Sequence, residues 1–144
     1  MVNLKGLKIP VEVARLKAKA LKWVITDVDG VLTDTGVYYS VDGELMKRFS
    51  IRDGMGVERL RTQCNVDTGI MTGENSAAVM KRAEKLKITR YFPGIKDKKA
   101  TILEFFDDYG FSADDIAFIG DDYNDVDVIG VAGFTACPSD AMPY

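Results

Sequence analysis

The sequence predicts an α/β fold in which a parallel β-sheet is covered by helices on both faces. Short apolar stretches of strand character alternate along the chain with segments of helical periodicity, as in parallel sheets. Two of these stretches run directly into acidic turns, Asp27-Val28-Asp29-Gly30 and Gly120-Asp121-Asp122. Because ligands of open α/β sheets bind at the carboxyl ends of the strands, we expect the functional site there.

The first third of the chain predicts a helix, a strand and a hairpin. Pro10 is a favourable first residue for a helix over residues 11–20, whose apolar face holds Val13, Leu16 and Ala20. Residues 23–25 are β-branched and aromatic, which is typical of a buried strand. Residues 36–41 and 44–49 are strand-like and flank Asp42-Gly43, a strong signal for a β-hairpin.

The rest of the chain continues the alternation of helices and strands. Asp53 can cap a helix that extends to Leu60, and a helix from Asn75 follows the strand of residues 66–71. Strands are expected at residues 88–92 and 116–119, and a short helix precedes an extended segment at residues 133–136. The helix of residues 97–109 is expected to bury one stripe, formed by Ile102, Phe106 and Tyr109.

Composition limits the class of protein. The 144 residues are 47% apolar and 28% charged, which predicts one domain, residues 1–144, with a sizeable core. A net charge of −3 provides no basic surface for nucleic acid or an anionic membrane. No apolar run approaches the roughly 20 residues that span a bilayer, and no signal peptide is evident. Cys64 and Cys137 are isolated, so we expect reduced thiols and a cytoplasmic protein.

The candidate chemistry comes from acids, a hydroxyl and an amine, because the chain contains no histidine. Asp27, Asp29 and Asp121 are predicted to hold Mg²⁺, which takes one or two carboxylates together with phosphate oxygens. Thr72 follows the strand of residues 66–71 and is expected at the entry to a helix, where free N–H groups favour an anion. Lys98 would supply positive charge.

These residue types suggest phosphoryl transfer. Asp27 can attack phosphorus and form an aspartyl-phosphate, while Asp29 protonates the leaving alcohol and later deprotonates a water molecule. Lys98 and Thr72 would stabilise charge on the transferring phosphoryl group. Taken singly, Thr72 is more typical of a helix cap and Lys98 of a solvated face. Their order along the chain and their places at strand ends favour the catalytic interpretation.

Two interpretations of other classes remain. A phospho-acceptor signalling module also combines an acceptor aspartate, Mg²⁺, a hydroxyl residue and a lysine, although its acidic residues lie on different strands. A structural partner that retains the motifs without turnover would not need the acid/base residue Asp29.

The motifs resemble those of haloacid dehalogenase superfamily phosphatases. The resemblance rests on Asp27-Val28-Asp29-Gly30-Val31-Leu32-Thr33-Asp34, Met71-Thr72-Gly73-Glu74, Lys98 and Gly120-Asp121-Asp122-Tyr123-Asn124-Asp125. Together with the short length and the early hairpin, it is similar to the capless branch that hydrolyses 3-deoxy-2-ulosonate phosphates, over about residues 10–144. It implies a single Rossmannoid domain without a cap, with the hairpin insertion at about residues 36–49.

The resemblance also implies partners and substrate contacts. Members of this branch form homotetramers in which the hairpins build a central barrel and neighbours cover each site. The segment from Ser50 to Gly54 resembles the substrate-binding segment of the branch. The implied substrate-binding residues are Ser50, Arg52, Asp53, Gly54, Gly73, Glu74, Arg82 and Lys85. Members usually continue past the position of Tyr144 with a Gly-rich, Arg-containing tail, and this sequence ends before it.

Glu74 suggests which sugar acid phosphate is cleaved. Enzymes for 3-deoxy-D-manno-octulosonate 8-phosphate typically have Arg at this place, and a basic residue where this chain has Glu58. Glu74 with Lys85 eleven residues later resembles the members that act on nine-carbon sugars. The sequence therefore predicts 2-keto-3-deoxynononate 9-phosphate or N-acylneuraminate 9-phosphate as the substrate, with the octulosonate phosphate as the alternative.

Overall fold

The structure, a computed structural model, describes residues 8–143 and alternates strands with helices. The helices of this part of the chain are α1 (Val11–Ala20), α2 (Ile51–Cys64), α3 (Ala77–Leu86), α4 (Lys98–Tyr109) and α5 (Val126–Ile129). The strands are β1 (Trp23–Thr26), β2 (Thr33–Ser40), β3 (Gly43–Phe49), β4 (Asp67–Met71), β5 (Arg90–Phe92), β6 (Ile116–Ile119) and β7 (Phe134–Ala136). Among the described residues, no helix combines the length and apolarity needed to cross a bilayer.

The central sheet has five parallel strands in the order β5-β4-β1-β6-β7. β1 lies in the middle, and its last residue, Thr26, is in register with Ile70 of β4 and Ile119 of β6. The segments that follow these three strands therefore meet at one edge of the sheet. The predicted parallel sheet is confirmed, and this register brings the acidic turns together.

Each face of the sheet packs against helices, as predicted. Side chains alternate across a strand, so neighbouring residues serve different cores. Met71 of β4 packs with Ile25, Ile102 and Phe118 on one face. Ile70 packs with Val28, Val79 and Ala83 on the other face.

The predicted hairpin is present, with its turn one residue earlier than expected. β2 and β3 pair as an antiparallel ribbon in which Ser40 faces Gly43, so the two-residue loop is Val41-Asp42. Gly43, the first residue of β3, has φ +112°. Glycine is required there because any other residue would be strained in this backbone conformation. The ribbon exposes large apolar side chains, among them Tyr39, Val41 and Leu45.

The sequence misplaced the start of α2. This helix begins at Ile51, and its N-cap is Ser50, whose side chain accepts hydrogen bonds from the N–H groups of Arg52 and Asp53. Asp53 is therefore inside the first turn. The helix continues to Cys64, beyond the predicted end at Leu60, because Asn65 adopts the left-handed conformation that closes it.

On two helices, the residues predicted to form the buried apolar face differ from those that the structure buries. On α4 the buried aromatic residues are Phe105 and Phe106, while Tyr109 is 44% exposed at the end of the helix. On α1 the apolar face is open to solvent, and Leu16 is 69% exposed. The short helix α1 is attached by polar contacts, including a hydrogen bond of 2.8 Å from Lys17 Nζ to the carbonyl oxygen of Gly133.

Candidate active site

The site begins where β1 ends. Asp27 follows β1 directly, and its N–H donates to the carbonyl oxygen of Ile119 on the neighbouring strand at 2.9 Å. The Thr26 hydroxyl donates to the carbonyl oxygen of Asp27 at 2.7 Å. These bonds hold the Asp27 backbone, and the residue is 5% exposed. Asp27 is thus a buried, positioned carboxylate at the sheet edge.

Three carboxylates form a cluster at this edge. Oxygens of Asp27, Asp121 and Asp125 lie within 4.8 Å of one another, the one such group of metal-ligating side chains within residues 8–143. Burial raises the pKa of Asp27 despite the opposing charge of Lys98. Burial, followed by the charge of Asp27, raises the pKa of Asp121 to about 6. The cluster therefore carries repulsion that a cation would relieve.

The residues of the cluster fit a small divalent cation. Within the described chain, Oδ1 of Asp121 is buried without a hydrogen-bond partner, which is unusual for a carboxylate oxygen. Gly30 has φ +84°, and a Cβ built there would lie 1.8 Å from Oδ2 of Asp121. Only glycine permits this close approach of the Asp27–Gly30 loop. Carboxylate oxygens are the ligands that Mg²⁺ prefers.

Lys98 is buried among the acids and not on a solvated face. It is the first residue of α4, whose N-cap Asp97 accepts a hydrogen bond from the N–H of Ala100 at 2.9 Å. Its ammonium lies 2.7 Å from Oδ1 of Asp125 and 3.0 Å from Oδ1 of Asp27. The side chain is 1% exposed, so Lys98 is placed to neutralise the charge of Asp27 and Asp125.

Asp125 is a site residue that the sequence did not single out. Its Oδ2 accepts hydrogen bonds from the N–H groups of Asp121 at 3.0 Å and Asp122 at 3.4 Å. Its Oδ1 accepts from Lys98. Asp125 is fully buried and shapes the loop that presents Asp121. Its spacing of three residues after Asp122, that of a capping box, was the available signal.

The carboxylate of Asp29 lies outside the three-residue cluster, and the metal role predicted for Asp29 stays a prediction. Lys47 of β3 donates to both carboxylate oxygens of Asp29, at 2.6 and 2.7 Å. The Lys47 side chain is 2% exposed. Burial alone would lower the pKa of Lys47, but Asp29 and Glu44 outweigh burial and raise it. The sequence missed Lys47, whose alternation with Leu45 and Phe49 along one strand was the only signal.

Thr72 lies at the predicted strand end, but not at a helix entry. Its N–H donates to the carbonyl oxygen of Phe92 at 3.0 Å, and its hydroxyl accepts from the N–H of Glu74 at 3.2 Å. The helix begins later, at Ala77, and its N-cap is Ser76. The expected anion site at a helix N-terminus is therefore wrong for Thr72. The residue remains a buried hydroxyl, 2% exposed, at the site edge.

The predicted substrate-binding segment adjoins the Asp29 loop. A small cavity of about 150 Å³ is lined by Leu32, Thr33, Asp34, Arg48, Phe49, Ser50 and Asp53. Arg82 of α3 donates to the carbonyl oxygen of Ser50 at 2.7 Å. A Cβ at Gly54 would lie 2.7 Å from the Arg82 guanidinium, so this glycine makes room for the arginine. Arg52 is exposed.

Two predicted specificity residues lie apart. Glu74 is exposed beside the site edge, where Lys96 Nζ donates to the carbonyl oxygen of Gly73 at 3.3 Å. Lys85 lies in the last turn of α3, about 12 Å along the axis from Ala77 at a rise of ~1.5 Å per residue. Since α3 runs away from the carboxyl edge of the sheet, Lys85 does not join Glu74 within one chain.

The chain is similar in sequence and in fold to proteins named as phosphatases. The chain is 34% identical over 128 residues to a Haemophilus influenzae protein named 3-deoxy-D-manno-octulosonate 8-phosphate phosphatase, covering 89% of this chain and 71% of that protein. It is 34% identical to the protein of that name from Yersinia pestis, covering 88% of this chain and 67% of the relative. No protein-family model matches the chain.

Solved structures agree with the sequence relatives. A Moraxella catarrhalis phosphatase of the same name, in complex with magnesium, phosphate and its octulosonate sugar, superposes with a TM-score of 0.86 at 32% identity, covering 92% of this chain and 76% of that one. The cobalt-bound Haemophilus influenzae enzyme gives 0.82 at 33% identity, covering 88% and 73%.

The fold and the site thus define a phosphatase built on a strand-end carboxylate cluster, and not a signalling module. More particularly, the chain belongs to the capless ulosonate-phosphate phosphatase branch of the haloacid dehalogenase superfamily.

Proposed function

We propose that this phosphatase uses Mg²⁺ to hydrolyse a 3-deoxy-2-ulosonate phosphate, and that 3-deoxy-D-manno-octulosonate 8-phosphate is its preferred substrate. The observation that carries the proposal is the buried cluster of Asp27, Asp121 and Asp125 around Lys98 at the sheet edge. The eight-carbon substrate is favoured over the predicted nine-carbon one because the named relatives act on it.

Asp27 is the proposed nucleophile. One of its carboxylate oxygens forms a bond to phosphorus as the bond from phosphorus to the sugar oxygen breaks, and an aspartyl-phosphate results. Lys98, 3.0 Å from Oδ1 of Asp27, holds that carboxylate in place and balances its charge. The buried hydroxyl of Thr72, which directly follows β4, can donate to a phosphoryl oxygen.

Asp29 is the proposed general acid and base. Its carboxyl group gives a proton to the departing sugar oxygen, and then accepts a proton from the water that attacks the aspartyl-phosphate. Inorganic phosphate and the Asp27 carboxylate are then restored. The carboxylate of Asp29 is 34% exposed, so it can meet both the sugar and a water molecule.

Asp27 and Asp121 would hold Mg²⁺, which supplies charge neutralisation for the phosphoryl oxygens when bound. Asp125 would act through the backbone of Asp121 and through Lys98.

A phosphate-release assay with Mg²⁺ tests the proposal. Wild-type protein is expected to cleave the eight-carbon ulosonate phosphate with the highest kcat/KM in a panel of eight- and nine-carbon substrates. Asp27→Asn should remove turnover, at least about 10³-fold, because an amide cannot attack phosphorus. Asp107→Asn, on the exposed side of α4, is the matched control and should retain activity. Near-wild-type release by Asp27→Asn would overturn the covalent role.

Glu74 supports a second candidate, the nine-carbon substrate. An exposed carboxylate beside Gly73 can accept hydrogen bonds from additional hydroxyl groups and repels a substrate carboxylate. Glu74→Arg should shift the kcat/KM ratio toward the eight-carbon substrate by about tenfold, or roughly 1.4 kcal/mol. An unchanged ratio would make Glu74 a bystander, and a higher kcat/KM of the wild type for nine-carbon phosphates would favour the second candidate.

We further propose that the enzyme is a homotetramer assembled through the hairpin of β2 and β3. An isolated two-stranded ribbon is marginally stable in water, and this one exposes Tyr39, Val41 and Leu45 at its outer end.

A cytoplasmic location stays a prediction. Cys64 and Cys137 are both exposed free thiols, which suits a reducing compartment.

A further inference from the structure

A line of polar contacts joins the proposed acid/base residue to the hairpin and then to α3. Lys47 of β3 binds the Asp29 carboxylate and lies 3.6 Å from Oε2 of Glu44 on the same strand. The Ser76 hydroxyl donates to Oε1 of Glu44. Ser76 is also the N-cap of α3 and accepts from the N–H of Val79 at 3.3 Å. Asp29 is thus tied to two elements far from it in sequence.

Lys47 is built into the fold and is not a surface lysine. The flanking side chains on β3, Met46 and Arg48, are exposed, whereas the Lys47 side chain is 2% exposed. Strand alternation therefore directs Lys47 inward, toward the loop that follows β1. Burying an ammonium is unfavourable unless charged partners surround it, and here Asp29 and Glu44 do so. The position is consequently specific for a cationic side chain.

The contact fixes the direction of Asp29. Asp29 is two residues from Asp27, and a free carboxylate there could turn toward a cation held by the cluster. Two hydrogen bonds of 2.6 and 2.7 Å from one ammonium hold both of its oxygens on the hairpin side. That side also holds the cavity lined by Phe49 and Ser50, beside the predicted substrate-binding segment.

We propose that Lys47 is a positioning residue that keeps the Asp29 carboxylate out of the metal cluster and facing the leaving oxygen of the substrate. Glu44, held by Ser76, positions Lys47 in turn. The inference rests on the proposed acid/base role of Asp29. The hairpin is thereby a part of the catalytic apparatus of its own subunit, in addition to any role in assembly.

The dependence of kcat/KM on the leaving group tests this inference, because kcat/KM reports only the steps up to cleavage of the sugar–phosphate bond. An alkyl or sugar phosphate needs a proton on its leaving oxygen, whereas 2,4-dinitrophenyl phosphate does not. Lys47→Met should lower kcat/KM about 30-fold or more for the sugar phosphate and less than about threefold for the dinitrophenyl ester. A general loss of structure would lower kcat/KM equally for the two substrates.

Three further variants and one control variant make the result decisive. Asp29→Asn should show the same selective loss, Lys47→Arg should restore much of the activity, and Glu44→Gln should show a smaller selective loss. Lys81→Met removes an exposed ion pair with Glu84 on α3 and should leave kcat/KM unchanged for both substrates. Lys47→Arg also keeps the test valid if Lys47→Met does not fold.

The outcomes separate the two proposals. One outcome is that Asp29→Asn lowers kcat/KM for the sugar phosphate alone while Lys47→Met lowers it for neither substrate, or equally for both. In that case the positioning role of Lys47 is wrong and the acid/base role of Asp29 stands. If Asp29→Asn itself lowers kcat/KM equally for both substrates, the acid/base role proposed for Asp29 is wrong.

Discussion

At the scale of single residues, Asp121 shows how the site opposes stability. Its Oδ1 is buried without a partner in the described chain, and its pKa is raised to about 6. A carboxyl group whose pKa is higher in the folded state than in the unfolded state destabilises the fold when it ionises. The strain is tolerated because the same unpaired oxygen is available to a cation.

We expect Asp121→Asn to weaken Mg²⁺ binding and to stabilise the metal-free protein. The ordinary pKa is 3.8 and the folded value about 6, so the stability gain should develop as pH rises between these values and stay constant above. A gain of about 1 kcal/mol in the free energy of unfolding is expected near pH 7, after allowance for partial exposure.

Urea unfolding in EDTA at several pH values measures this gain, and titration calorimetry measures the loss of Mg²⁺ affinity. Asp107→Asn should change neither quantity. Lower stability of the metal-free Asp121→Asn protein at neutral pH would contradict the repulsion assigned to the cluster.

At the scale of elements, α1 is held by ion pairs and hydrogen bonds because its apolar residues are exposed. Immediately after α1, Lys22 lies 2.9 Å from Oδ1 of Asp115. Hydrogen bonds from Lys22 first, and from Ser112 next, lower the pKa of Asp115 to about 2. An ionised Asp115 therefore strengthens the attachment of the N-terminal region to the turn before β6, where the N–H of Lys22 also donates to the carbonyl oxygen of Asp115 at 2.7 Å.

We expect Asp115→Asn to lower the free energy of unfolding by about 1 kcal/mol near neutral pH, since the Asp115 side chain is only 17% exposed. Because the folded pKa is lower than the ordinary 3.8, the difference should be full above about pH 4 and should vanish as pH falls toward about 2. Asp114→Asn is the matched control, since its side chain is 77% exposed. A difference independent of pH in urea unfolding would refute the ion pair as its source.

At the scale of the whole molecule, the hairpin leaves large apolar side chains exposed, because the five-stranded sheet does not pack against them. Val41 is fully exposed and Tyr39 is 74% exposed, whereas Phe49, at the end of β3, packs against the core. The proposed assembly would bury this surface.

We expect light scattering to show a tetramer at micromolar concentration for the wild type, and a smaller species for Tyr39→Glu with Leu45→Glu. Charge on an apolar interface opposes association because it must be desolvated. Leu16→Glu changes an exposed apolar residue on α1 and should leave the assembly intact. A stable, active wild-type monomer would refute the proposed assembly.

The sequence by itself determined the alternation of strands and helices, the hairpin, and the meeting of Asp27, Thr72 and Asp121 at one edge. These follow from local patterns combined with one rule, because parallel strands must all end on the same side of a sheet. Their catalytic roles stay predictions, which rest on the residue types together with their order along the chain and their places at strand ends.

Only the tertiary structure decided which side chains surround those acids. Lys47 reaches Asp29 across 18 residues, and Lys98 reaches Asp125 across 27. No local period relates such positions. Lys98 was expected at the site, but its contact with Asp125 and the contact of Lys47 with Asp29 could not be read from spacing. The N-caps Ser50 and Ser76 and the exposure of Tyr109 were decided in the same way, because packing selects among several residues that are locally equivalent. The direction of the Asp29 carboxylate is therefore a property of the folded hairpin, and not of the motif that contains it.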